Sequence, residues 1–145
     1  MAALLAATLA ALLSAADAPG LVDYVVEGDA VPAPLDGLAG DASRGAGIVL
    51  DRRAGNCLSC HRFPVAEPFQ GEIGPTMAGI GARLNRGQIR LRLIDFSRLR
   101  ADTLMPPYYR VAGLTDVAPE YDGRPALSAQ QIEDVVAYLA TLVVP

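Results

Sequence analysis

Apolar residues recur at helical spacing in three stretches of this chain, and no strand-period alternation competes with them. The most regular stretch is the last. Ile132, Val135, Val136, Leu139 and Leu142 form one stripe, and Ser128 with Gln131 supplies the capping-box pattern that would open the helix. Residues 86–96 predict a second helix, with Ile89, Leu93 and Phe96 on one face and Arg86 and Arg90 on another. A third should begin near Asp41, whose carboxylate can cap free amides while Ala42, Ala46, Ile48, Val49 and Leu50 carry the pattern on, and end before Gly55. Gly- and Pro-rich stretches at 71–81 and 105–125 separate these elements. The expectation is an all-α domain of short helices and long loops, without internal repeats. Long loops in a small domain usually need something to pack on.

The N-terminal part reads differently. Residues 1–13 are Ala and Leu broken by Thr8, followed by small residues at 14, 15, 16 and 18, which is the pattern of a secretory signal peptide although it lacks a positive start. The run is too short to span a bilayer, so the mature chain is expected to carry no membrane span; an uncleaved apolar anchor is the alternative. Residues 19–40 contain Pro19, Pro32 and Pro34 with several glycines and acids, and predict an extended arm. Its Tyr24-Val25-Val26 cluster can pack on the domain or on a partner. The division is therefore 1–18 signal, 19–40 arm and 41–145 folded domain.

At 145 residues the chain is long enough for one compact domain, and its 52% hydrophobic content without tryptophan gives a core of aliphatic residues that a buried prosthetic group would help to fill. All 12 basic residues are arginines against 16 acids, and the net charge of -4 gives no reason to expect nucleic acid. Arginines 83, 86, 90, 92, 98 and 100 crowd one stretch with Asp95 as the only acid among them. They form either a solvated helix face or a docking face for an acidic redox partner.

The chemistry concentrates at Cys57-Leu58-Ser59-Cys60-His61, which uses both cysteines and the only histidine of the chain. This is a c-type haem attachment pattern: two cysteines three apart can reach the two vinyl groups of one haem, and the next residue then lies beneath the iron. Other uses of the motif fit poorly. A thioredoxin-like dithiol belongs in a βαβ pattern, which is absent; structural zinc needs four ligands; and a Cys57–Cys60 disulfide would close too small a loop to matter. Haem attachment also requires export, in agreement with the N-terminal pattern, and points to the periplasm.

Without a second histidine, a six-coordinate iron would take Met77, Met105 or a less usual ligand. Met105 is preferred. It precedes Pro106 and Pro107, which stiffen the loop and keep it out of helix, whereas Met77 lies close behind the attachment motif and suits a packing role. The Pro75 carbonyl could accept the His61 Nδ1 proton, or Gly74-Pro75 could be only a turn. His/Met ligation leaves no open iron position, so these residues point to outer-sphere electron transfer.

Five segments together resemble the SoxX family, mono-haem subunits of the SoxAX complex of bacterial thiosulfate oxidation. They are Tyr24-Val25-Val26 with Ala30-Val31-Pro32-Ala33-Pro34-Leu35, Gly55-Asn56-Cys57 through His61, Gly71-Glu72-Ile73-Gly74-Pro75, Met105-Pro106-Pro107-Tyr108-Tyr109, and the closing helix from Leu127 to Leu139. The resemblance implies a class I cytochrome c-like fold with one haem c, held by Cys57 and Cys60 and ligated by His61 and Met105. It also implies a heterodimer with a SoxA-like subunit, whose cysteine would join thiosulfate to a carrier-protein cysteine as an L-cysteine S-thiosulfotransferase. This chain would receive the electrons and pass them to a small soluble cytochrome c. The alternatives are a free cytochrome shuttling between periplasmic or membrane partners, and a haem-based sensor.

Overall fold

In a computed structural model, residues 21–145 are described. The signal-peptide pattern lies outside them. Four α-helices follow in order, α1 (Ala42–Leu50), α2 (Ile80–Arg83), α3 (Arg86–Asp95) and α4 (Ala129–Thr141), joined by loops with short 3-10 turns. Among the described residues there is no β-strand, only an isolated bridge between Glu27 and Ala30. The all-α expectation holds.

Each of the three longer helices starts where side-chain chemistry supplies its missing acceptors. The Asp41 carboxylate accepts from Arg44 N and opens α1. Ser128 and Gln131 form the reciprocal capping box of α4. At α3 an equivalent box between Asn85 and Gln88 sets the start. That helix stops at Asp95, earlier than the periodicity suggests. Asp95 turns extended (φ −164°, ψ 94°), its carboxylate accepts from Ser97 N, and the chain continues as a 3-10 turn over Phe96–Arg98. The one-turn α2 begins inside a Gly-rich stretch where periodicity predicts no helix.

The core gathers on α4. Ile132, Val135 and Val136 are almost fully buried, and their apolar area contributes on the order of 1.5–3 kcal/mol per side chain. Helix α1 crosses α4 at very close range. A Cβ at Gly45 would lie 1.9 Å from the Asp134 carbonyl oxygen, so only glycine permits the approach. At Gly81 in α2 a Cβ would lie 2.4 Å from the Ala140 carbonyl oxygen.

The arm packs on the domain. Val22 N donates to Tyr109 Oη at 2.9 Å, the Arg98 guanidinium sits 5.8 Å from the centre of the Tyr24 ring, and Val31 and Leu35 are core residues. Val25 remains exposed. The strongest anchor of the arm is Arg90, placed by the periodicity on the same face as Arg86 but in fact only 2% exposed. The guanidinium meets Glu133 of α4 through two bonds of 2.7 and 2.8 Å and donates to Val31 O at 2.6 Å, while Glu133 Oε1 also accepts from Leu35 N at 2.9 Å. The arm supplies what periodicity omits, namely a second buried face for α3 and α4.

The rest of the arginine run is also less uniform than its sequence. Arg92, Arg98 and Arg100 lie within 4 Å of Asp29, Asp95 and Asp102 respectively, and Arg83 donates to the carbonyls of Ala78 and Thr76. Most of the run is thus paired with acids or main-chain carbonyls of its own fold.

Candidate haem site

The attachment motif folds as a 3-10 turn over Cys57–Ser59, entered through Asn56 in the left-handed region (φ 50°). The turn is tightened by His61 N donating to Cys57 O at 2.9 Å. Cys57 and Cys60 are both free thiols at intermediate exposure. Burial is the main influence on Cys57 and pushes its thiol up to about 11, with the Tyr108 hydroxyl acting in the opposite direction.

A second segment, 71–77, runs beside the motif and fixes the histidine. Three main-chain bonds clip the two together: Gly71 N to Leu58 O, Gly74 N to Cys60 O and Met77 N to Arg62 O, at 2.7, 2.8 and 2.8 Å. Thr76 Oγ1 adds a bond to Arg62 O, and Arg62 also pairs with Glu72. The clip places His61 Nδ1 2.8 Å from Pro75 O. A carbonyl can only accept, so Nδ1 carries the proton and Nε2 is the nitrogen left with a lone pair for a metal. Gly74 lies against the ring; a Cβ there would be 2.3 Å from His61 Cε1. The loop between motif and clip is held by Gln70, which accepts from Phe63 N and donates to the carbonyls of Val65 and Glu67.

The two methionines of the described residues occupy different places. Met77 is a buried core residue. Met105 is half-buried at the core edge, between the 82%-exposed Leu104 and the prolines 106 and 107. Directly after these prolines, Tyr108 is fixed by its main chain, with N to Leu93 O and O from Leu127 N, each 3.0 Å. Its hydroxyl donates to Gly55 O at 2.7 Å and is within hydrogen-bonding reach of Cys57. The methionine loop and the cysteine turn are therefore joined directly. Tyr108 stands in the sequence only as part of the Met105–Tyr109 segment, with no contact to mark it out.

This arrangement suits a covalently held haem. Two thiols are presented on one turn, the imidazole is oriented with Nε2 available, and the flanking Ile73 and Leu104 are exposed apolar side chains able to cover a porphyrin. Among the described residues no cluster of three or more His, Cys, Asp or Glu could hold a metal ion by itself.

The cytochrome c family model matches residues 42–143. The chain belongs to the cytochrome c family. It is a SoxX-like member: in a crystal structure of SoxXA from P. pantotrophus, one chain shares 34% identity and superposes with a TM-score of 0.76. The match covers 83% of this chain and 94% of that one, a span longer than 42–143. No curated protein matches the chain. Covalently bound haem c and electron transfer follow from the family. Among the described residues no helix is long and apolar enough to cross a membrane.

Proposed function

We propose that the chain is the electron-accepting subunit of a SoxAX-type complex, taking up electrons released when thiosulfate is joined to a carrier-protein cysteine. In that reaction a sulfur–sulfur bond forms between the thiosulfate sulfane and the cysteine sulfur, the thiol proton leaves, and two electrons must be removed. A haem held here would take these electrons one at a time, each passing to the acceptor before the next arrives. Cys57 and Cys60 would hold it through thioethers, and His61 and Met105 would ligate its iron. Pro75 O keeps the His61 ring in one orientation and makes Nε2 a better donor, while Gly74 lets the backbone lie flat against that ring. No residue of this chain handles sulfur, because both cysteines are consumed in attachment; the thiosulfate-handling cysteine belongs to a SoxA-like partner in the periplasm. A small soluble cytochrome c is the acceptor.

The observation that supports His61 as a ligand is its bond to Pro75, which commits Nδ1 and leaves Nε2 free to bind iron. Support for the Sox role comes from a similarity that extends beyond the cytochrome c model to most of a SoxXA chain. Affinity capture of this chain from thiosulfate-grown cells should bring down a SoxA-like cytochrome in equal amounts. Recovery of the holoprotein alone, freely exchanging electrons with membrane complexes, would instead favour a shuttle.

A further inference from the structure

The Tyr108 hydroxyl is the direct side-chain tie between the haem-attachment turn and the methionine loop, and we propose that it is a positioning residue that keeps Met105 on the iron. The inference rests on the His61/Met105 reading above. Gly55, which accepts the hydroxyl proton at 2.7 Å, is itself held against α1 by its own N–H to Ile48 O. It has no room to shift: a Cβ there would lie 2.8 Å from Ile48 O and 3.1 Å from Cys57 Sγ. The tie thus ends on a rigid part of the cysteine turn.

The methionine side is looser. Thr103 N bonds to Arg100 O, Met105 N to Thr103 Oγ1, and Arg100 to Asp102, all within the loop. The loop therefore takes its position from the residues on the C-terminal side of Met105. Pro106 and Pro107 restrict the backbone over the short link to Tyr108, so a displacement at Tyr108 is passed to Met105 with little taken up between. A buried hydroxyl bonded to the cysteine turn resists that displacement and stabilises the methionine-bound state over one in which an added ligand has replaced it.

The test uses the ferric holoprotein and imidazole as the competing ligand. Covalent haem and the weak far-red iron–sulfur band are checked first in the wild type and in Met105→Ala; a band that survives Met105→Ala would refute the ligand assignment, independently of Tyr108. With the assignment secure, Tyr108→Phe should keep covalent haem and the far-red band yet bind imidazole about fivefold more tightly, the size expected for one buried neutral hydrogen bond. Tyr109→Phe serves as the structural control. It removes a neighbouring hydroxyl that bonds to Val22 N of the arm, and its imidazole affinity should stay at the wild-type value. Equal affinities in Tyr108→Phe and wild type, or equal increases in both tyrosine variants, would overturn the proposal, as would loss of covalent haem from Tyr108→Phe. Should Tyr108→Phe fail to fold, 3-fluorotyrosine incorporated at position 108, which keeps the ring and strengthens the donor, must weaken imidazole binding; unchanged binding overturns the proposal equally.

Discussion

Gly74 shows how little freedom the haem-ligand side of this site has. Its α-carbon faces the His61 ring so closely that any Cβ must displace the imidazole or the main-chain clip that carries Pro75. On the proposed ligation, Gly74→Ala should therefore disturb His61 more than the fold: covalent haem should be retained, while the reduction potential shifts and carbon monoxide binds the ferrous form. Potentiometry and carbon monoxide titration of the variant measure both effects, and wild-type values in both would show that the ring tolerates the contact. The attachment motif is legible in the sequence because three rare residues stand together. The carbonyl partner of His61 can be anticipated only as one of two meanings of Gly74-Pro75, since a turn and a hydrogen-bond acceptor have the same sequence. Tyr108 is not legible. Nothing at position 108 announces a contact with position 55, which is created by the way α3 and residue 127 fix its main chain.

Helices α1, α3 and α4 are legible from apolar spacing and caps, yet spacing alone does not reveal which of their charged residues are buried, Asp95 at the end of α3 among them. Arg90, Glu133 and Asp134 are all buried, because the arm and α1 cover faces that periodicity would leave to water. Removing one member of the Arg90–Glu133 pair leaves the other charge buried without its partner. Glu133→Leu should cost about 3–5 kcal/mol of stability, measured by urea unfolding of the holoprotein. Replacing both, as Arg90→Met with Glu133→Leu, should recover much of that loss. The second acid predicts a pH dependence. Burial opposes ionisation of Asp134, but bonds from Arg44, the Asp41 N–H and Gln130 outweigh it and hold the carboxyl below its usual range. A carboxyl depressed in the folded state contributes stability that is fully present above the unfolded value, roughly pH 4, and is lost as pH falls through the folded value. Urea midpoints should decline over that acid range, and less steeply in Asp134→Asn. Equal slopes would show that Asp134 plays no part in the decline. The one-turn α2 has no pattern to reveal it, since four residues are too few for periodicity; its place is set by Gly81 lying against α4.

At the scale of the whole molecule, the arm and the helical domain act as one unit. Val31 and Leu35 belong to the core, and the ion pair that buries Arg90 also binds the arm's main chain, so this segment is a structural component as well as a surface. Its exposed side, including Val25, is available to a partner. Removal of residues 19–35 should destabilise the holoprotein by several kcal/mol through loss of two buried aliphatic side chains and the anchors of Arg90 and Glu133, with a lower thermal midpoint as the readout. The fold class is readable because short helices, long loops and a haem motif occur together. The docking of the arm is not, because an extended segment carries no periodicity that names what it packs on.

The most direct test of the proposed role is the haem absorbance of the purified, oxidised complex of this chain with its SoxA-like partner, recorded after thiosulfate and carrier protein are added together. The reduced α-band of this chain's haem should appear only when both are present and fail to appear when the carrier's cysteine is blocked. Full reduction by thiosulfate alone, or none with both present, would contradict that role.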